Sequence, residues 1–268
     1  KPRNGDFLSD ETKRELIQRL KSYAVAGIVP EFIDLKYLYV ELKVNPYYNP
    51  SLNDDQENLK TGVSNALTQY SRSIDVNKFG GRFKYSKAVS LIDNVDSSIT
   101  SNITLVTIRR NLKAVLGQFA QYELCYGNMF HTQESSYNIV STGFTIEGVT
   151  ETVYLADEVI NRDKGRIFFF TYTEGGTPNI IKKNAGTVDY MHGEILIDTV
   201  NILSTVIANN VVEIQAIPHS NDIVGLRDLY VKFDMSNTTI NMIQDLIASG
   251  ENTSGSRFVH THSYYTPT

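Results

Sequence analysis

One cysteine, no long apolar run and no surplus of positive charge mark this 268-residue sequence, and each shortage excludes something. With Cys125 alone no intrachain disulfide can form, which fits a reducing compartment. Flanked by Leu124 and Tyr126, its thiol is expected to pack as a small apolar group. No apolar stretch approaches the roughly 20 residues that cross a bilayer, so membrane insertion is not expected. The formal net charge of -5 gives no general attraction to phosphate backbones, so nucleic acid is not expected as a partner. The chain opens Lys1-Pro2-Arg3-Asn4-Gly5, with neither methionine nor a signal-peptide pattern, which suggests a piece of a longer protein.

The local signatures of common chemistry are missing as well. There is no GxxxxGK[ST] phosphate loop, no GxGxxG fingerprint, no HExxH and no paired CxxC. The stretch from Gly62 to Ala66 approaches a nucleophile elbow, but the pattern puts Ser64 inside a helix, whereas an elbow needs a strand-to-helix turn. His260 and His262 share one side of an extended segment, yet no further metal ligands accompany them. Asp54-Asp55 reads as helix capping, and Asp157-Glu158 as a solvated turn. The reading is therefore a non-enzyme with no catalytic residue, cofactor or metal.

What is present is an ordinary globular composition, 41% hydrophobic and 21% charged, long enough for a sizeable core. Ser9 to Ala24 reads as a helix striped by Leu16, Leu20 and Tyr23. From Leu35 to Val44 the period changes to two, with Leu38, Val40, Leu42 and Val44 on one face and Tyr37, Tyr39, Glu41 and Lys43 on the other. Pro46 and Pro50 are expected to end its pairing. A helix capped by Asn53 or Asp54 carries Leu59, Val63, Ala66, Leu67 and Tyr70 to about Ser73. Gly80-Gly81 breaks the chain, a short helix runs near Ser86 to Asn94, and Ile99 to Arg110 is rich in strand formers.

Beyond Leu112 short strand-prone runs dominate: Tyr137 to Ile146, Thr152 to Ile160, Arg166 to Thr173, Asn179 to Lys182, Val211 to Ile217 and Leu229 to Phe233. The clearest hairpin turns at Gly193, with Ile195 and Ile197 inward. Thr239 to Ala248 has helical spacing through Ile240, Ile243 and Ile247. The expected fold is therefore α+β. It comprises an N-terminal helix and connector (1–34), a small helix-covered α/β module (35–113), a β-rich domain (114–236), and a C-terminal helix with an extended tail (237–268).

Val40-Glu-Leu-Lys-Val-Asn-Pro46, the helix from Leu59 to Tyr70, Ser86-Lys-Ala-Val-Ser-Leu-Ile-Asp93 and the following strand resemble the baseplate J-like family of contractile-tailed phages. The hairpin from Gly186 through Tyr190 to Gly193-Glu-Ile-Leu-Ile197 resembles the β-rich part of a wedge subunit. This resemblance implies a structural part of a tail baseplate wedge in the virion. Such a part would dimerise, join other wedge proteins and close into a ring that rearranges on sheath contraction. It supplies no catalytic residues. Candidate contacts are Arg109, Arg110, Phe258, His260, His262, Tyr264 and Tyr265. A carbohydrate- or receptor-binding tail module is the alternative, prompted by 16 tyrosines and the β-rich second half.

Overall fold

The computed structural model describes residues 10–23, 36–73, 75–133 and 136–246. It divides into two compact units at Lys36. The first contains α1 (Asp10–Lys21), where Leu16 and Ile17 of the expected stripe are half-buried, Leu20 is exposed, and Tyr23 is exposed beyond the helix end. Arg19 and Lys21 in its last turn complement the helix dipole.

The second unit begins with β1 (Lys36–Tyr48), α2 (Gln56–Ser71), β2 (Arg82–Phe83), α3 (Tyr85–Asp93) and β3 (Ile99–Lys113). It continues through β4 (Phe119–Cys125), β5 (Ile139–Ser141), β6 (Phe144–Ile146), β7 (Tyr154–Val159), β8 (Lys164–Tyr172), β9 (Pro178–Asp189), β10 (Glu194–Thr205) and β11 (Val211–Ala216). It ends with β12 (Ile223–Val224), β13 (Leu229–Phe233), a 3-10 turn (Met235–Asn237), β14 (Thr239–Ile240) and β15 (Ile243–Gln244). A 13-stranded sheet follows the order β13-β1-β3-β11-β5-β7-β8-β9-β10-β4, with β14 and β15 joining β1 and β6 joining β10. From β1 through β3, β11, β5, β7, β8, β9 and β10 to β4 the neighbours are antiparallel, while β14 and β15 run parallel to β1.

The α+β expectation is overturned. The fold is dominated by one mixed β-sheet, with three α-helices among the described residues and none at the C-terminal side. Where Thr239 to Ala248 predicts a helix, the described part forms two short strands. Asn241 and Asp245 donate their N–H groups to Val44 and Tyr48 of β1, at 2.9 and 2.7 Å. Met242 is buried there. An open edge elsewhere in the fold outcompeted a helical spacing that had little else to support it. The tail from residue 247 onward lies outside the described residues.

The first strand also outruns its prediction. It passes straight through Pro46, which lies opposite Asn102. Proline has no N–H to give, and on the other side the parallel neighbour is interrupted between Ile240 and Ile243, at the level of Pro46. The next helix is capped by Asp55, whose carboxylate accepts from Asn58 N at 3.0 Å, rather than by Asn53 or Asp54.

One face of β1 is as the alternation requires: Leu38, Val40, Leu42 and Val44 are all buried. They belong to a continuous core with Val63, Leu67 and Tyr70 of α2, Ala88 and Ile92 of α3, and Val106 and Ile108 of β3. Tyr70, Phe83 and Phe233 tie the helices to β13 through ring contacts of 5.5–6.1 Å.

Further along, the pairings close into a circuit, β7-β8-β9-β10-β6, completed by the Phe144–Val153 bridge. Phe144, Leu155, Phe169, Ile197 and Ile202 fill its interior, leaving a residual space no larger than a water molecule. The hairpin at Gly193 is as expected. Its φ of 67° and its approach to Asn128 O leave no room for a Cβ, and Ile195 and Ile197 point inward.

Candidate interaction surface

The sequence pairs Arg109 with Arg110 as strand neighbours pointing to opposite faces, and the structure gives them different surroundings. Arg109 is 3% exposed. Its Nε donates to Glu41 at 2.5 Å, its Nη2 to Asp234 at 2.8 Å, and its Nη1 to Glu213 and to Asn111. The guanidinium lies 4.3 Å from the centroid of the Tyr39 ring. Gln215 and Asn237 donate to Glu41 at 2.7 and 3.1 Å, while Ser236 Oγ donates to Asp234 at 2.6 Å. Burial opposes the charge on Arg109, but the Glu41 bond and the three carboxylates outweigh it and raise the pKa. The second face of β1, polar in sequence, is thus largely covered by a charged cluster joining β1, β3, β11 and the segment after β13.

Arg110 is half-buried and donates to the backbone oxygen of Cys125. Burial lowers its pKa, and its buried Nε lacks a hydrogen-bond partner among the described residues. Cys125 itself is partly exposed, with burial raising its thiol pKa. Phe258, His260, His262, Tyr264 and Tyr265 lie outside the described residues. The structure therefore brings Arg109 and Arg110 next to different partners and does not bear on the rest of the set.

The chemistry-bearing candidates are placed as follows. Ser64 is in the middle of α2, as its spacing predicts. Asp157 is not in a solvated turn. It sits on β7, 1% exposed, and accepts from Asn138 N (2.7 Å), Ile139 N (2.8 Å), Asn138 Nδ2 (3.2 Å) and Tyr190 Oη (2.7 Å). The carboxylate closes the turn before β5 and anchors Tyr190, whose pKa is raised by burial and by the Asp157 bond. Glu158, its neighbour, faces outward to Arg166 at 2.7 Å. No group of three or more His, Cys, Asp or Glu side chains suited to a metal occurs among the described residues.

Two outward features escaped the sequence reading. The first is an aromatic ladder on the outer face of β7 and β8, where Tyr137, Tyr154, Phe168, Phe170 and Tyr172 stand with centroids 5.0–6.2 Å apart. Tyr172 is 53% and Tyr137 44% exposed. The alternate aromatics from Phe168 to Tyr172 were the available signal, but which face they cover depends on strand pairing.

The second is β9, which the sequence breaks at Lys182-Lys183 but which runs on from Pro178 to Asp189. It leaves β10 beyond Gly186, and an open groove forms there, lined by Phe119, Ile146, Phe169, Lys182 and Val200. No local pattern could show that divergence. The strand β4, bordering the groove through Phe119, was also missed, although Ala120, Tyr122 and Leu124 alternate.

Residues 36–111 match the family model described as baseplate structural protein gp6, C-terminal domain III. The chain is similar to baseplate wedge protein gp6 of Enterobacteria phage T4, 24% identical over 169 residues that make up 62% of this chain. The match spans 23% of the length of that curated relative. By sequence, this chain is close to the C-terminal part of a baseplate wedge gp6.

Proposed function

We propose that this chain is a structural part of a contractile-tail baseplate wedge. In this reading it self-associates, joins neighbouring wedge proteins into a ring in the virion, and rearranges with them on sheath contraction after assembly in the host cytoplasm. The observation that carries the reading is the match of residues 36–111 to the gp6 domain, which covers β1, both core-covering helices and most of β3. The filled interior of the strand circuit supports it, since a packed core offers no ligand chamber. Rearrangement would then move whole units at their contacts, because close-packed cores shift between discrete arrangements.

Sedimentation over a concentration series, alone and with neighbouring wedge proteins, tests this. A strict monomer that also ignored those proteins would sink it. The aromatic ladder gives a carbohydrate- or receptor-binding module a specific footing, since Tyr137 and Tyr172 present exposed rings. Specific glycan-array binding abolished by Tyr172→Ser would favour that second reading.

A further inference from the structure

The outer end of β9 is a sheet edge with a side of its backbone open. From Gly186 to Asp189 it pairs with β10; from Pro178 to Lys182 it pairs only with β8 among the described residues. Every residue from Pro178 to Asn184 is exposed. An edge of this kind presents a row of N–H and C=O groups able to accept another strand. Where β9 leaves β10, the groove beside this edge has Phe169, Val200 and Ile146 as its floor and Phe119, 70% exposed, as a wall. Lys182 stands on the edge side and Glu147 on the rim of the same groove.

We propose that this edge and groove form a docking site for an extended acidic–apolar segment of another polypeptide, which adds to the sheet as a strand beside Pro178–Lys182. The inference deepens the subunit reading, on which it rests, by naming a partner's chemistry. Main-chain bonding supplies affinity in such additions and side-chain pockets supply selectivity. Here an apolar side chain enters between Phe119 and Val200, and a carboxylate meets Lys182, whose ammonium lies 5.9 Å from the centroid of the Phe169 ring. No acidic residue interrupts the run from Pro178 to Asn184, although the whole chain carries a net charge of -5.

The same chemistry argues against two other occupants. A second copy of β9 would bring a lysine-bearing edge against another. The chain's own residues 247–268 hold a single acidic side chain, Glu251, and also Arg257. Between Lys182 and Gly186 three residues of β9 bulge opposite Phe168, which ends regular pairing and limits the guest to a short stretch. Lysines and bulges keep an edge from pairing indiscriminately, so this edge selects against neutral strands.

Fluorescence anisotropy on the full chain provides the test. The probe is a labelled heptapeptide alternating glutamate with valine around a central phenylalanine. Saturable binding is expected, weakened about tenfold or more by Lys182→Glu and by added salt. Phe119→Ser should weaken it about fivefold through the lost apolar contact. Lys182→Gln serves as a milder variant, and unchanged melting of each variant shows that the fold is intact. Hydrogen exchange should slow between Asn179 and Lys182 when the peptide is bound.

The proposal is overturned by absent or non-saturable binding, by equal binding of a lysine-substituted control peptide, or by exchange protection elsewhere. Protection of the edge amides already present in the free chain also overturns it, because the chain would then cover its own edge. Sedimentation of Lys182→Glu separates this proposal from the subunit reading. Self-association that persists while peptide binding falls supports the docking site; loss of both makes the edge a self-contact and overturns it. A wild-type monomer that still binds the peptide fails only the earlier reading.

Discussion

The Arg109 cluster and the Asp157 hub lie in the same sheet and both bury carboxylates, but they satisfy them by different means. Around Arg109, three acidic groups share one guanidinium, with amides and hydroxyls taking the remaining lone pairs. Around Asp157, four hydrogen bonds come from neutral donors, two of them backbone N–H groups. The charged cluster ties together strands far apart in sequence. The neutral hub fixes a turn and one tyrosine. Removing a donor should therefore cost far more at the first centre than at the second.

Arg109→Ala puts that contrast to its hardest test. It strands Glu41, 2% exposed, without its cation, and a loss of about 3–5 kcal/mol is expected in urea unfolding. A loss under about 1 kcal/mol would mean that the cluster is far better solvated than its burial indicates. Gly165→Ala comes next. Its Cβ would clash with Tyr190 Oη, so the ring must move away from Asp157, at about 1–3 kcal/mol by thermal denaturation. Tyr190→Phe removes only the hydroxyl and leaves Asp157 three donors, so about 1 kcal/mol is expected from the same measurement. A cost equal to that of Arg109→Ala would erase the distinction between the two centres.

The smallest effect belongs to an exposed pair. His192 Nδ1 lies 2.9 Å from Asp189 Oδ2 in the β9–β10 turn, which raises the histidine pKa above 6.5 and lowers that of the aspartate. A raised histidine pKa stabilises below its unfolded value, and the gain disappears as pH rises through the folded one. A lowered aspartate pKa stabilises above its unfolded value, and that gain disappears as pH falls through the folded one. The pair thus helps only between the carboxylate and imidazole ranges. NMR titration should show the His192 pKa falling in Asp189→Asn; an unchanged value would separate the two groups.

Local chemistry was legible in the sequence wherever neighbours along the chain decide the outcome. The Leu38–Val44 alternation, the Leu59–Tyr70 stripe and the Gly193 turn all follow from spacing or from a backbone dihedral. Glu41 and Asp157 were illegible as buried groups because their partners stand on other strands. Ile240 and Ile243 kept helical spacing, yet their backbones joined β1. The aromatic ladder and the β9 edge share that cause: each exists only once distant strands have taken their places.

The partners of β1 set a schedule for the newborn chain. Its sheet neighbours include β3 early, but β13, β14 and β15 last, and Leu42 N reaches Thr238 Oγ1 across 196 positions. On a ribosome that releases residues in order, the first strand of the sheet remains bare along one side until nearly all of the described chain has emerged. Loop closure over such a span is slow, and an open apolar edge is exposed to neighbouring nascent chains meanwhile. Pro46, near the end of that edge, denies a passing strand one donor while the rightful partners are still being made.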